Sequence, residues 1–196
     1  DGASVERAVT TNFDFTEVLR WNMYHADFLT ISRVRDAIND RFPGMARIED
    51  AVTLASIVEK ETGVPEEREQ VASVFVNRLN QGMRLQTDPT VIYGITNGQG
   101  VLGRGLRRSE LRKETPFNTY VIDALPPTPI ANPGRASLMA AAQPASEDYV
   151  FFVADGTGGH AFAETLEEHN ANVARWRQIE AERGAEAAGN ASTGGN

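Results

Sequence analysis

Leu54-Ala-Ser-Ile-Val-Glu59-Lys60-Glu61-Thr62 is the stretch that decides the fold, because it joins an apolar helix to a pair of carboxylates. The helical period of its apolar residues starts near residue 48, and Thr62-Gly63 ends it. A second apolar helix is predicted over about 66–80, with Pro65 suited to its first turn. The two helices predict a mainly helical core with acidic groups where they join.

A hairpin is predicted further along the chain. Residues 149–154, Tyr-Val-Phe-Phe-Val-Ala, are typical of a strand, and residues 160–162 can pair with them across a glycine-rich turn. Thr165 and Glu168 predict a capping box that opens a final helix ending near residue 182. We therefore expect an α+β fold, mainly helical, with a small antiparallel sheet.

The remaining segments are expected to frame this core. Helices are predicted over 13–29, over 30–42 and over about 134–143, and Asp88-Pro89 is typical of a helix start with Asp88 as the cap. From Gly184 to Asn196 the chain consists of glycine, alanine, asparagine, serine and threonine apart from Glu186, which predicts a disordered tail.

Composition excludes several classes of function. The formal charge of −8 over 196 residues argues against nucleic acid as a partner, since phosphates are bound by basic surfaces. The chain has no cysteine, which removes disulfides and thiolate chemistry. Its three histidines, His25, His160 and His169, lack the spacing of a metal site, so we expect neither a metal nor a cofactor. The place of His160 beside the hairpin glycines favours a structural role, or one at the rim of the site, over a catalytic role.

Two glutamates are candidates for the general acid. Glu59 and Glu61 flank the apolar side of the first helix, and the helical period does not choose between them. Position favours Glu61, because the exposed carbonyls of a last helical turn disfavour an ionised carboxylate. An apolar wall would raise its pKa further, as a general acid near neutral pH requires. The alternative is that both glutamates are solvated surface residues.

Further candidates share polar or aromatic side chains suited to a neutral sugar polymer: Glu59, Gln86, Thr87, Asp88, Tyr93 and Asn118. Hydrogen-bonding groups and a ring for stacking are what a glycan cleft needs. Three of them have a structural alternative: Asp88 as a helix cap, Tyr93 in the core, and Asn118 holding a turn. The residues alone leave these alternatives open.

Ordered motifs carry a resemblance to a known family. They include residues 55–62, 71–79, Gly82-Met-Arg-Leu-Gln-Thr-Asp-Pro-Thr-Val-Ile-Tyr-Gly94, residues 114–120, 125–127, 130–134, 149–156 and Gly159-His-Ala-Phe162, followed by His169-Asn170. Over about 50–177 the chain resembles the endolytic murein transglycosylases of bacteria, the YceG-like or MltG family. The resemblance implies a lysozyme-like catalytic core and a lyase that cuts the MurNAc–GlcNAc β-1,4 bond within glycan strands, leaving 1,6-anhydroMurNAc ends.

The resemblance also implies roles for residues. The catalytic glutamate of the family aligns with Glu61, which would serve as acid and then as base, with Glu59 as the fallback. The polar candidates above would bind the glycan. A hydrolase of lysozyme type that uses Asp88 as a second carboxylate, and a glycan-binding or divisome scaffold without activity, are the alternatives.

Location and partners follow from the same resemblance. We expect peptidoglycan strands as the substrate, cell-wall synthases as further partners, and the periplasmic face of the bacterial inner membrane as the site of action. Family members carry a membrane helix and a LysM-like lobe before the catalytic domain, and neither occurs in this chain, which is expected to be a fragment. We divide it into a divergent or truncated helical segment (1–45), a catalytic domain (46–183) and the tail (184–196).

Overall fold

The computed structural model describes residues 48–193, and the side chains of residues 49–185. The helices predicted over 13–29 and 30–42, and the whole segment 1–45, lie outside the described residues. Within them the helices are α1 (Ile48–Glu61), α2 (Arg68–Asn80), α3 (Asp88–Thr96), α4 (Arg108–Leu111), α5 (Arg135–Ala142) and α6 (Leu166–Thr193), with a 3-10 turn at Pro65–Glu67. The strands are β1 (Phe151–Ala154) and β2 (His160–Ala163), and the α+β prediction is confirmed.

The core forms around α1. Leu54, Ile57 and Val58 have no exposed surface, and α1 packs against α2 and α5. Helix α5 brings Ala140 and Ala141 to this contact, both about 1% exposed. Small side chains let the two helices approach closely, and residues 53–58 of α1 are all buried. Glu61, the last residue of α1, therefore follows directly on a buried part of the helix.

The predicted hairpin is confirmed as a two-stranded antiparallel sheet. Phe151 pairs with Ala163 and Ala154 pairs with His160. The turn between them is closed by the bond from the Asp155 amide to the Gly159 carbonyl, 3.0 Å. The edge of Phe152 meets the ring of Phe75 of α2 at a centroid distance of 5.8 Å. The sheet is thus packed onto the helical core and presents His160 beside the end of α1.

Helix α6 starts as predicted and ends later than predicted. The Glu168 amide donates to Thr165 Oγ1 at 3.2 Å, and the Glu168 carboxylate accepts from the Thr165 amide at 3.3 Å, which is the predicted capping box. The predicted end near residue 182 is wrong, because the helix continues to Thr193.

Residues 184–193, predicted as the start of a disordered tail, thus belong to α6. Two physical reasons account for the extension. The Arg183 guanidinium donates to the Gly156 carbonyl and ties the helix to the hairpin at the predicted end. Four alanines follow within the next eight residues, and alanine has the highest intrinsic helix propensity. Along residues 48–193, no helix combines the length and apolar character that crossing a bilayer requires.

Candidate active site

Glu61 lies where two cavities meet. One has a volume of about 460 Å³ and includes Gln86, Asp88 and Tyr120 in its wall. The other has a volume of about 300 Å³ and includes His160 and Trp176. Glu61 lines both of them. Glu61 is therefore a wall residue shared by two cavities.

The carboxyl group of Glu61 is buried and has one close hydrogen-bond donor. Burial raises its pKa to about 7, the nearby Asp88 charge acts in the same direction, and the Thr87 hydrogen bond opposes both. Thr87 Oγ1 donates to Glu61 Oε2 at 2.9 Å. The upward shift of this pKa agrees with the sequence prediction, and burial is its main cause. Near neutral pH the group can exist both as an acid and as a carboxylate, as acid–base chemistry requires.

Thr87 is held by a buried network of threonines. Its amide donates to Thr119 Oγ1 at 3.0 Å, and Thr90 Oγ1 donates to the Thr87 carbonyl at 2.7 Å. The hydroxyl oxygens of Thr90 and Thr119 lie 2.8 Å apart. All three residues are at most about 1% exposed. The sequence prediction that Thr87 contacts substrate is corrected, because burial places Thr87 behind Glu61, where its hydroxyl orients the carboxyl group.

The wall of the larger cavity contains Gln86, Asp88 and Tyr120. Gln86 has a φ of +52°, an uncommon value for a residue with a side chain. Tyr120 Oη donates to Asp88 Oδ1 at 2.6 Å. Burial and this carboxylate raise the pKa of Tyr120, so the phenol stays protonated. Asp88 does not cap α3, since Thr87 occupies the cap position. The structure thus brings Gln86 and Asp88 into the same cavity as Glu61.

Arg78 is a buried cation that the sequence reasoning missed. It is 8% exposed and also lines the larger cavity. Its Nε donates to the Val150 carbonyl at 2.6 Å, and its Nη1 donates to the Leu85 carbonyl at 2.9 Å. These bonds tie α2 to the hairpin and to the segment before Gln86. The only sequence signal was an arginine within an apolar helix.

Two candidates lie away from these cavities. Glu59 accepts from the Ser137 hydroxyl at 2.6 Å and from the Gly134 amide at 3.1 Å, at the start of α5. The Ser137 hydrogen bond lowers the pKa of Glu59, so this carboxylate is ionised at neutral pH and is unsuited to be an acid. Tyr93 packs against Phe117 with ring centroids 4.8 Å apart. Both residues line a separate cavity of about 570 Å³, bordered by the loop at 98–104.

Asn118 is not on the cleft surface. It is 1% exposed, and its Nδ2 donates to the carbonyls of Glu110, Leu111 and Lys113 at 3.2, 3.2 and 2.7 Å. Its Oδ1 accepts from the Tyr120 amide at 3.0 Å. The expectation that Asn118 binds substrate is corrected, because both ends of its amide are used to hold the turn that follows α4.

His160 is fixed beside Glu61 by an acidic partner. Its Nδ1 lies 2.8 Å from Glu67 Oε2, and its amide donates to Glu67 Oε1 at 2.8 Å. Thr62 Oγ1, directly after Glu61, also donates to Glu67 Oε2, at 3.3 Å. The 3-10 turn, the end of α1 and β2 therefore meet at one carboxylate. The sequence favoured a structural or rim role for His160, and nothing in it pointed to Glu67. Across the described part of the chain, histidine, aspartate and glutamate side chains form no group of three that could hold a metal ion.

Comparison with known proteins gives consistent matches. The model of the YceG-like family matches residues 19–175, so the match includes part of the segment 1–45 set apart above. The endolytic murein transglycosylase of Bacillus subtilis (strain 168) is 42% identical over 119 residues, which are 61% of this chain and 32% of that protein. The endolytic murein transglycosylase of Streptococcus pneumoniae serotype 2 (strain D39) is 34% identical over 133 residues, 65% of this chain and 23% of that protein.

A solved structure agrees with these relatives. The 2.6 Å crystal structure of a yceG-like protein from Listeria monocytogenes superposes with a TM-score of 0.61 at 40% identity. The superposition covers 73% of this chain and 45% of that one. The chain spans about a third or less of the length of the curated relatives described above.

Proposed function

Since the chain belongs to the YceG-like family, we propose that it is the catalytic part of a peptidoglycan lytic transglycosylase with Glu61 as its acid. The observation that carries the proposal is a carboxyl group of pKa about 7 at the junction of two cavities. The names of the relatives from B. subtilis and S. pneumoniae support the murein substrate.

The proposed reaction needs one carboxyl group and no water. Protonated Glu61 gives its proton to the oxygen of the MurNAc–GlcNAc β-1,4 bond, and the bond from that oxygen to the MurNAc C1 breaks. The resulting Glu61 carboxylate then removes the proton from the C6 hydroxyl of the same MurNAc. The C6 oxygen bonds to C1, which closes the 1,6-anhydro ring and leaves Glu61 protonated for the next turnover.

Thr87 suits both steps. Its hydroxyl keeps the carboxyl group in one orientation, and it stabilises the ionised form that exists between the two proton transfers. With a pKa near 7, Glu61 can lose and regain its proton at little cost in free energy. A general acid–base group works best when its pKa lies near the ambient pH. A solvated glutamate with an ordinary pKa would be ionised before the first step.

The position of Glu61 supports cutting inside a strand. Glu61 lines two cavities, so the sugars on the two sides of the scissile bond could each occupy one of them. Gln86 and Asp88 would bind sugar in the larger cavity. We propose the periplasmic face of the inner membrane as the location and cell-wall synthases as further partners.

Product analysis tests the reaction. Purified sacculi are digested with the parent chain, with Glu61→Gln and with Glu66→Gln, and the products are read by mass spectrometry. Glu66 is an exposed glutamate on the neighbouring 3-10 turn and provides a matched control. We expect anhydroMurNAc ends from the parent and from Glu66→Gln, and none from Glu61→Gln.

Other products would point to other functions. Reducing ends in place of anhydro ends would indicate a hydrolase, with Asp88 as the second carboxylate to test. Glycan binding without products from any of the three proteins would indicate a binding module and overturn the proposed reaction.

A further inference from the structure

We propose that His160 is a substrate-binding residue whose Nε2 accepts a hydrogen bond from a hydroxyl or amide N–H of a sugar in the smaller cavity. The hydrogen bond to Glu67 fixes the orientation of the imidazole ring and determines which of its nitrogens carries the proton. The inference rests on the proposed function, because it takes the ligand to be a glycan strand, and it adds a contact that the Glu61 chemistry does not require.

The first support is the way Glu67 uses its oxygens. Oε1 accepts from the His160 amide at 2.8 Å, and Oε2 faces His160 Nδ1 at 2.8 Å. The side chains of Glu67 and His160 are only 14% and 17% exposed. Two contacts from one carboxylate fix both the backbone and the ring. The ring also packs against Phe152 at a centroid distance of 5.2 Å, so its orientation is set before any ligand binds.

The second support is the residue before the histidine. A Cβ at position 159 would lie 2.5 Å from Glu67 Oε1, closer than side chains tolerate. Gly159 therefore allows the carboxylate to reach the hairpin. The backbone of Gly159 is not left-handed, so its conformation does not require glycine. The space occupied by the Glu67 carboxylate does.

The chemistry of the ring follows from its partner. A carboxylate accepts hydrogen bonds, so a neutral His160 must carry its proton on Nδ1. Nε2 then has a free lone pair. It makes no hydrogen bond to the described residues, and it is not among their buried polar atoms that lack a partner. Nε2 is thus available as a hydrogen-bond acceptor on a residue that lines the smaller cavity.

The surroundings fit a sugar. His160 lines the cavity of about 300 Å³ together with Glu61 and Trp176. An indole and an acceptor nitrogen are the two kinds of group that bind the apolar face and the polar edge of a pyranose ring. The presence of Glu61 in the same wall places this sugar next to the bond that would be cleaved.

The first arm of the test is nuclear magnetic resonance of the imidazole nitrogens. It uses the Glu61→Gln chain, which binds glycan without needing to cleave it, at pH 8, with His160 signals assigned by comparison with His160→Gln. We expect a proton on Nδ1 only, and a change of the Nε2 signal when a peptide-free tetrasaccharide of alternating GlcNAc and MurNAc is added. In Glu67→Gln the proton should move to Nε2, because the amide of glutamine can donate to Nδ1.

The second arm is steady-state kinetics on the same glycan. Loss of one neutral hydrogen bond should raise KM about tenfold in His160→Leu, with a smaller effect on kcat. His160→Gln places an amide oxygen near the position of Nε2 and should restore most of the affinity, whereas His160→Asn, which is shorter, should not. Circular dichroism confirms that each variant is folded.

Specific results would overturn the inference. They are a proton on Nε2 in the free protein, an Nε2 signal that bound glycan leaves unchanged, or an unaltered KM in His160→Leu. The resonance arm needs no cleavage, so failure of the proposed reaction is distinguishable from failure of this contact.

Discussion

Replacing Glu61 by glutamine should stabilise the protein at alkaline pH. Burial raises the pKa of Glu61 from its ordinary value of 4.5 to about 7 in the folded chain. Between these two pH values the unfolded chain ionises and the folded chain does not, so the stability of the parent falls as pH rises through this window. The rise in pKa of about 2.5 lowers the free energy of unfolding of the parent by about 3 kcal/mol above pH 7. Glutamine cannot ionise, and its amide oxygen can still accept the Thr87 hydrogen bond.

Urea unfolding followed by circular dichroism at pH 4, 6 and 8 measures this effect. Relative to the parent, the free energy of unfolding of Glu61→Gln should be unchanged at pH 4 and higher by about 3 kcal/mol at pH 8. Glu66→Gln, on the exposed surface, should show no such gain toward alkaline pH. A parent–variant difference for Glu61 that is constant across the three pH values, or that grows toward acid, would refute the burial argument.

Three further substitutions test the site and its supports. Thr87→Val removes the donor to Glu61, which should move the alkaline limb of the kcat profile upward by about one pH unit, whereas Thr96→Val should not move it. Asn118→Ala should lower the free energy of unfolding by about 3 kcal/mol in urea titrations, yet leave KM unchanged for the folded enzyme. Gly159→Ala should lower the free energy of unfolding by about 2 kcal/mol in the same titration, because the new Cβ would displace Glu67. Gly105→Ala, whose Cβ would lie in open space, should change it little.

The sequence predicted those parts of the fold that depend on neighbouring residues. The period of α1, the capping box of α6 and the turn of the hairpin are local patterns, and the structure confirms each of them. The place of Glu61 at the end of α1 follows from the same local pattern. The end of α6 was misjudged because composition suggested a tail, whereas Arg183 holds the helix against a turn 27 residues earlier.

The supports of the site could not be predicted because they join distant parts of the chain. Thr87 meets Thr119 at a separation of 32 residues, and Glu67 meets His160 at a separation of 93. Glu59 and Asn118 looked equally suited to bind sugar, and only tertiary structure shows their hydrogen bonds to be used within the protein. Residue type and spacing describe what a side chain can do, and packing decides which of those bonds it makes.

The position of Glu61 at the end of a core helix has a consequence for how the protein tolerates mutation. Leu54, Ile57 and Val58 form the core and also fix the carboxyl group three to seven residues later. A mutational scan scored for abundance and one scored for catalysis should therefore give nearly the same profile along α1 as far as Val58, and should separate at Glu61. Along α6, whose residues wall the cleft with little core contact, the two profiles should separate. Variants with new substrate ranges are consequently to be sought in α6, where the chain can change without losing its fold.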